Sequence, residues 1–128
     1  MTGRLHILVI DDYALLAEAL RKILTLTGHR VVTALSGREG IDLFRKAQAE
    51  GDPFAVVLTD YSMTDLNGTD VAAAVKQISA TVSVLLLTAY NVRSGDELPA
   101  YVDAILTKPP RIEELSAALT RCQPRSPS

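Results

Sequence analysis

The chain predicts a doubly wound α/β fold, a five-stranded parallel sheet with helices on both faces. Three observations predict it. Helical and strand patterns alternate from one end to the other. Residues 5–10, 54–59 and 83–88 are almost wholly apolar and rich in Val, Ile and Leu, as strands buried on both faces must be. Each of these runs ends at or beside a polar residue with chemical capacity: Asp11-Asp12, Asp60 and Thr88.

The elements follow in order. Residues 5–10 form the first strand. A helix over 13–27 has Leu16, Leu20, Ile23 and Thr27 at helical spacing, and Gly28 stops it. Residues 30–35, with Val31 and Val32, read as a shorter and more exposed strand. Ser36 and Glu39 have capping-box spacing and open a helix with Gly40, Ile41 and Phe44 on one face, which fades by Gly51-Asp52-Pro53. A third strand over 54–59 leads into a polar loop, 60–68. Val71, Val75 and Ile78 then mark a third helix, and 83–88 is the fourth strand. Alternation calls for a helix within 89–102, but Gly95 and Pro99 predict a short or irregular one. Residues 103–107 are a brief fifth strand, broken by Lys108-Pro109-Pro110. The last helix, 111–122, turns Ile112, Leu115 and Leu119 inward. One domain is expected over 4–122, with a disordered Pro/Ser-rich tail at 123–128.

Bulk properties remove several classes of function. The net charge of -2 provides no electrostatic case for direct binding to nucleic acid or to an anionic membrane. The single cysteine, Cys122, rules out an internal disulfide and a cysteine-built zinc cluster. No apolar run approaches the roughly 18 residues of a membrane span. With no signal peptide, the expected setting is cytoplasmic.

Short right-handed crossovers leave few topologies, and the flavodoxin-like order 2-1-3-4-5 suits this length. Parallel strands place their carboxyl ends along one edge. Asp11-Asp12, Asp60, Thr88 and Lys108, the last at the end of the fifth strand, therefore converge on one crevice. Each alone has a plain explanation: Asp11, Asp12 and Asp60 as cap or turn residues, Thr88 as a β-branched strand residue, Lys108 as a solvated cation. Together they suit a different chemistry. Three acids with few other ligands match a hard divalent cation such as Mg²⁺. An acid beside that cation can attack a phosphoryl group and form an acyl phosphate. The cation and an ammonium stabilise the transferring charge, and a hydroxyl can follow the phosphate.

At this point the sequence resembles the CheY-like receiver domains of bacterial two-component response regulators. The resemblance spans nearly the whole chain and is carried by Ile7 through Asp12, VVLTDYSMTDLNG at 56–68, VLLLTA at 84–89 and ILTKP at 105–109. It implies that Asp60 is the phosphoacceptor, receiving its phosphoryl group from a histidine kinase or a histidine phosphotransfer protein. It implies that Asp12 ligates Mg²⁺ directly, that Asp11 does so largely through water, and that Asp60 and the Ser62 backbone carbonyl complete the protein ligands. Thr88 would be the switch hydroxyl, Lys108 the partner of the phosphoryl oxygens, and the Lys108-Pro109 peptide cis. Met63 and Gly68 match the family's loop after the acceptor.

The departures fall elsewhere. Thr64 stands where the family usually has Pro, which predicts a looser loop. Ile105 replaces the Tyr or Phe that rotates inward in many members. Tyr101 stands at the family's Gly before the fifth strand, Pro110 replaces a common Phe, and the span from Thr88 to Lys108 is about two residues short. These changes bear on the fourth-helix to fifth-helix surface, where the family also dimerises, and so on output. Tyr90, beside the expected site, could slow loss of the phosphoryl group.

The resemblance does not imply an enzyme beyond the domain's own phosphotransfer and dephosphorylation. It fits a stand-alone regulator or a piece of a hybrid sensor kinase, and no DNA-binding segment follows. Two other readings compete: a receiver-like interaction module without phosphate turnover, and a small phosphohydrolase with Asp60 as nucleophile. The latter usually needs a second acid two residues on, where this chain has Ser62.

Overall fold

A computed structural model of the chain describes residues 4–89 and 98–122. The elements are β1 (His6–Ile10), α1 (Ala14–Leu26), β2 (Arg30–Ala34), α2 (Gly37–Ala49), β3 (Val56–Asp60), α3 (Gly68–Ile78), β4 (Ser83–Thr88), β5 (Ala104–Thr107) and α4 (Ile112–Arg121). All strand pairs are parallel, in the order β2-β1-β3-β4-β5. The expected sheet is therefore the observed one. Among the described residues there are four helices. Residues 90–97, most of the segment expected to be irregular, lie outside the described residues, and so do 123–128. The described end of that segment is a turn, closed by the Val102 N–H donating to the Pro99 carbonyl at 3.2 Å.

Alternation of side chains along each strand builds two cores. Ile7 and Val9 of β1, Leu58 of β3, and Leu85 and Leu87 of β4 pack against α1 and α4, through Ala17, Leu20, Leu24, Leu115, Ala118 and Leu119. Leu8, Ile10, Val57 and Leu86 point the other way, against Phe44 of α2 and Val71 and Val75 of α3. Strands β1, β3 and β4 are buried along almost their whole length because helices cover both faces. Close helix packing against β1 depends on Gly40, where an added methyl group would sit 2.2 Å from Ile10 Cδ1.

Two helix faces differ from the sequence pattern. In α1 the buried stripe is Ala17, Leu20 and Leu24, so the face is rotated from the Leu16/Leu20/Ile23/Thr27 line. The small Ala17 lets the helix approach the sheet. Thr27 is exposed, and its hydroxyl donates to the Leu24 carbonyl at 2.9 Å, finishing the helix before Gly28 takes φ +100°. In α4, Ile112 is 57% exposed and lines a cleft between α1 and α4 instead of entering the core. The spacing was right, but the first turn of this helix does not lie on the sheet. The expected cap of α2 is present in modified form. Ser36 Oγ accepts the Glu39 N–H at 3.1 Å, while Glu39 Oε1 accepts the Leu35 N–H at 2.7 Å, one residue upstream of the usual partner.

Two local features yield predictions. His29 is buried, and its Nδ1 accepts the Leu5 N–H at 3.0 Å. Burial holds its pKa below the ordinary imidazole value. The unfolded chain therefore binds the extra proton first, and stability falls as pH drops below about 6.5. The loss from one such group is at most about 1.4 kcal/mol per pH unit. His29→Asn keeps an acceptor near the Nδ1 position, so urea unfolding of this variant between pH 7 and pH 5 is expected to show a shallower acid loss than wild type. Tyr101 has φ 69° and is 58% exposed. A left-handed conformation costs a tyrosine about 1 kcal/mol or more, and a side chain this exposed recovers little of that through burial. Tyr101→Gly should raise the unfolding free energy by about 0.5 kcal/mol, after allowance for glycine's greater freedom in the unfolded chain.

Candidate metal and phosphoryl site

Every sequence-predicted side chain of the crevice lies at the carboxyl edge of the sheet. Asp11 and Asp12 follow β1, Asp60 ends β3, Thr88 ends β4 and Lys108 follows β5. Parallel register sets the edge: Ile10 pairs with Thr59, Asp60 with Leu87 and Thr88 with Thr107. The Lys108 N–H extends the last ladder by donating to the Thr88 carbonyl at 2.8 Å, and the Tyr61 N–H does the same to the Leu87 carbonyl at 2.7 Å. The Lys108-Pro109 peptide is cis.

The three acids differ in surroundings. Asp11 is fully buried. Its Oδ1 accepts the Tyr13 N–H at 2.8 Å, an Asx-type turn leading into α1 rather than a cap on the helix's own orphan donors. Its Oδ2 accepts no hydrogen bond, although the Lys108 ammonium lies 3.4 Å away. Asp60 is also buried, and its Oδ2 is 3.1 Å from Lys108 Nζ. Asp12 is exposed, and its Oδ2 accepts both the Thr64 N–H at 3.1 Å and the Thr64 hydroxyl at 3.0 Å. Thr88 is buried at the end of β4. Ser62 is exposed, two residues beyond Asp60, and forms an isolated antiparallel bridge with Asn67.

The electrostatics favour a cation. One ligand oxygen from each of Asp11, Asp12 and Asp60 lies within 4.8 Å of the others. Three carboxylates and one ammonium leave two negative charges when all are ionised. Burial raises the Asp11 pKa, the Tyr13 hydrogen bond lowers it, and the Asp60 charge raises it further, with a net upward shift. Burial disfavours the Lys108 ammonium, but the hydrogen bond to Asp60 and the charges of Asp11 and Asp60 outweigh it and raise its pKa. A hard, oxygen-seeking divalent cation held by these acids would balance the excess charge. The donor set fits such an ion.

The response regulator receiver domain family matches residues 7–120. The chain belongs to the response regulator receiver domains. It is 37% identical to the response regulator MprA of Mycolicibacterium vanbaalenii over 116 residues, 89% of this chain and 48% of that protein. It is 34% identical to the transcriptional regulatory protein KdpE of Mycobacterium tuberculosis over 114 residues, 88% of this chain and 48% of that one. The chain thus spans about half the length of these relatives. Among solved structures it resembles the chemotaxis response regulator CheY4 of Vibrio cholerae, with TM-score 0.80, 26% identity, and coverage of 94% of this chain and all of that one. A receiver domain from Clostridium thermocellum aligns with TM-score 0.79 and 29% identity, over 92% of this chain and 93% of that one. Receiver domains serve two-component signalling, interact with histidine kinases, and are not in general catalytic enzymes. No described helix is long and apolar enough to cross a membrane.

The loop after Asp60 differs from expectation. Sequence suggested that Thr64, in place of the usual Pro, would loosen this receiver's loop. Instead Thr64 ties it to Asp12, because threonine has the backbone and side-chain donors that proline lacks. Asp65 makes a second tie: Oδ1 accepts the Gly37 N–H at 3.0 Å and Oδ2 the Arg38 N–H at 2.9 Å, so the loop caps α2. Those backbone hydrogen bonds hold the Asp65 pKa below the usual carboxylate range. Neither role was read from the sequence, although an N–H in place of Pro was the signal available. Tyr90, expected beside the site, lies outside the described residues.

Gly68 closes this loop against Asp60. Its N–H donates to the Tyr61 carbonyl at 2.7 Å, and an added methyl group would lie 2.5 Å from the Asp60 carbonyl oxygen and 2.5 Å from Leu86 Cδ1. Because the obstacle includes backbone, Gly68→Ala should displace the end of β3 and cost about 1–3 kcal/mol of stability in urea unfolding. Gly28→Ala meets no such contact but carries φ +100°, so its smaller loss separates steric crowding from backbone strain.

Proposed function

We propose that this receiver domain accepts a phosphoryl group on Asp60, in a Mg²⁺-dependent reaction, from the phosphohistidine of a sensor kinase or a histidine phosphotransfer protein. The single observation that carries the proposal is the convergence of three carboxylates within 4.8 Å with the Lys108 ammonium 3.1 Å from Asp60. A structural salt bridge needs one acid for one base. Here two acids exceed that requirement, and one buried oxygen is left without a hydrogen bond.

Asp11, Asp12, Asp60 and the Ser62 carbonyl would hold the ion. When bound, Mg²⁺ supplies charge neutralisation and a template for the phosphoryl oxygens. The protein's own groups account for the rest. An Asp60 carboxylate oxygen attacks phosphorus, the P–N bond of the donor phosphoimidazole breaks, and the imidazole leaves with the bonding pair and takes up a proton. The new bond is an acyl phosphate on Asp60. Lys108, already at the Asp60 carboxylate, pairs with the phosphoryl oxygens as their charge appears. Thr88, at the end of the neighbouring strand, donates its hydroxyl to a phosphate oxygen. Asp11 stays anchored through Tyr13 while this happens.

Acetyl phosphate with Mg²⁺ should add one phosphoryl mass to the intact chain. Asp60→Asn should abolish the addition, and chelation of Mg²⁺ should suppress it. Lys108→Met should slow it by about 100-fold, as expected when a preorganised charge is removed from a transferring group. A phosphoryl adduct that persists in Asp60→Asn would remove Asp60 as the acceptor.

A further inference from the structure

Thr64 donates two hydrogen bonds to one oxygen of a candidate metal ligand, and the established family role does not require them. We propose that Thr64 is a positioning residue that holds the Asp12 carboxylate ready for a divalent cation, an inference that rests on the cation-dependent reading above.

Asp12 has the least help from burial. Asp11 and Asp60 are enclosed by the sheet edge, whereas Asp12 is exposed. An exposed aspartate samples several rotamers, and a cation that uses it must meet the cost of stopping that motion. The Thr64 N–H at 3.1 Å and hydroxyl at 3.0 Å both act on Oδ2. Together they restrain both side-chain torsions. Both bonds fall on the same oxygen, so the other carboxylate oxygen of Asp12 lies outside them.

The donors are themselves held in place. Asp65, the next residue, grips the first turn of α2 through the Gly37 and Arg38 N–H groups. Met63, the residue before, is buried in the core beside α3. Ser62 bridges Asn67, and the Gly68 N–H closes on the Tyr61 carbonyl. Thr64 therefore sits between two anchored neighbours, and the freedom of Asp12 is lost on folding instead of on cation binding. Partners that orient a ligand in this way commonly affect affinity by about tenfold or more. The same contact makes Thr64 a sensor of the site, because an ion drawing on the Asp12 carboxylate changes the acceptor that its N–H faces.

The test is titration of the full chain with Mg²⁺ alone, followed by amide NMR, with unfolding midpoints measured without Mg²⁺. Thr64→Ser keeps both donors and is expected to bind within about twofold of wild type. Thr64→Val keeps the shape and the N–H but loses the hydroxyl; binding should weaken about three- to fivefold at an unchanged unfolding midpoint. Thr64→Pro loses both donors and should weaken binding about tenfold. In wild type the Thr64 amide resonance should move during the titration. Thr64→Ala replaces Val as the comparison with Ser if the Val chain does not fold. Equal affinity in the Ser, Val and Pro chains overturns the proposal. Tighter binding in the Val or Pro chain also overturns it, since Thr64 would then compete with the ion. Wild type that binds no Mg²⁺, or binds it equally well as Asp12→Ala, overturns the cation reading itself and this inference with it.

Discussion

The structure depends on a repulsion that the fold forces and Lys108 only partly relieves. Parallel strands must end along a common edge, and β1 and β3 are adjacent there. An acid at each end is thereby brought to the other whether or not the charges suit. Asp11 and Asp60 are both buried, and one ammonium lies 3.4 Å and 3.1 Å from them. Adding Asp12 leaves an excess of negative charge that neither burial nor Lys108 can absorb. Burial first, and the Asp60 charge with it, raises the Asp11 pKa, a tension the fold must contain. It is held by the two apolar cores beneath, because Ile7, Leu8, Val9 and Ile10 fix the path of β1 from both faces.

A strained charge cluster is useful only if it stays in place. The surrounding bonds explain why it does. Asp11 cannot swing out because Tyr13 holds it at 2.8 Å. Asp60 is held by Lys108 at 3.1 Å, and its backbone packs closely against Gly68. The loop between them is tied on one side to α2 through Asp65 and on the other to Asp12 through Thr64. Such a site answers changes of charge more readily than changes of shape. A cation or a phosphoryl group bound there would alter the balance at Lys108, which follows β5, and at Thr88, which ends β4.

Much of this was legible in the sequence because its signals are periodic or positional. Buried parallel strands must be apolar on both faces, so 5–10, 54–59 and 83–88 stood out, and the residues at their ends followed from topology alone. The helix faces were less legible. In α1 a small Ala17 lies closest to the sheet, and a count of large apolar residues passes over it. In α4 the spacing of Ile112 matches Leu115 and Leu119, but spacing cannot tell whether the first turn has anything beneath it. Contacts between loops were not legible at all. Asp65 to the α2 N-terminus joins residues 28 apart, and Thr64 to Asp12 joins residues 52 apart. No periodicity encodes such pairs.

The Thr64 tie also changes the meaning of the two neighbouring acids. From sequence, Asp11 and Asp12 differ only in order, and either could cap the following helix. In the structure Asp11 is enclosed, bonded to Tyr13 and close to Lys108, while Asp12 is exposed and bonded to Thr64. Asp11 can therefore respond to charge with little movement, and Asp12 could move freely but for Thr64. Rigidity at Asp11 comes from burial, which carries a desolvation cost and an upward pKa shift. At Asp12 it comes from two donors at the surface, which restrain the carboxylate without removing it from water. A single pair of residues thus combines a buried acid that conditions the charge of the crevice with an accessible one that can meet an ion arriving from solvent.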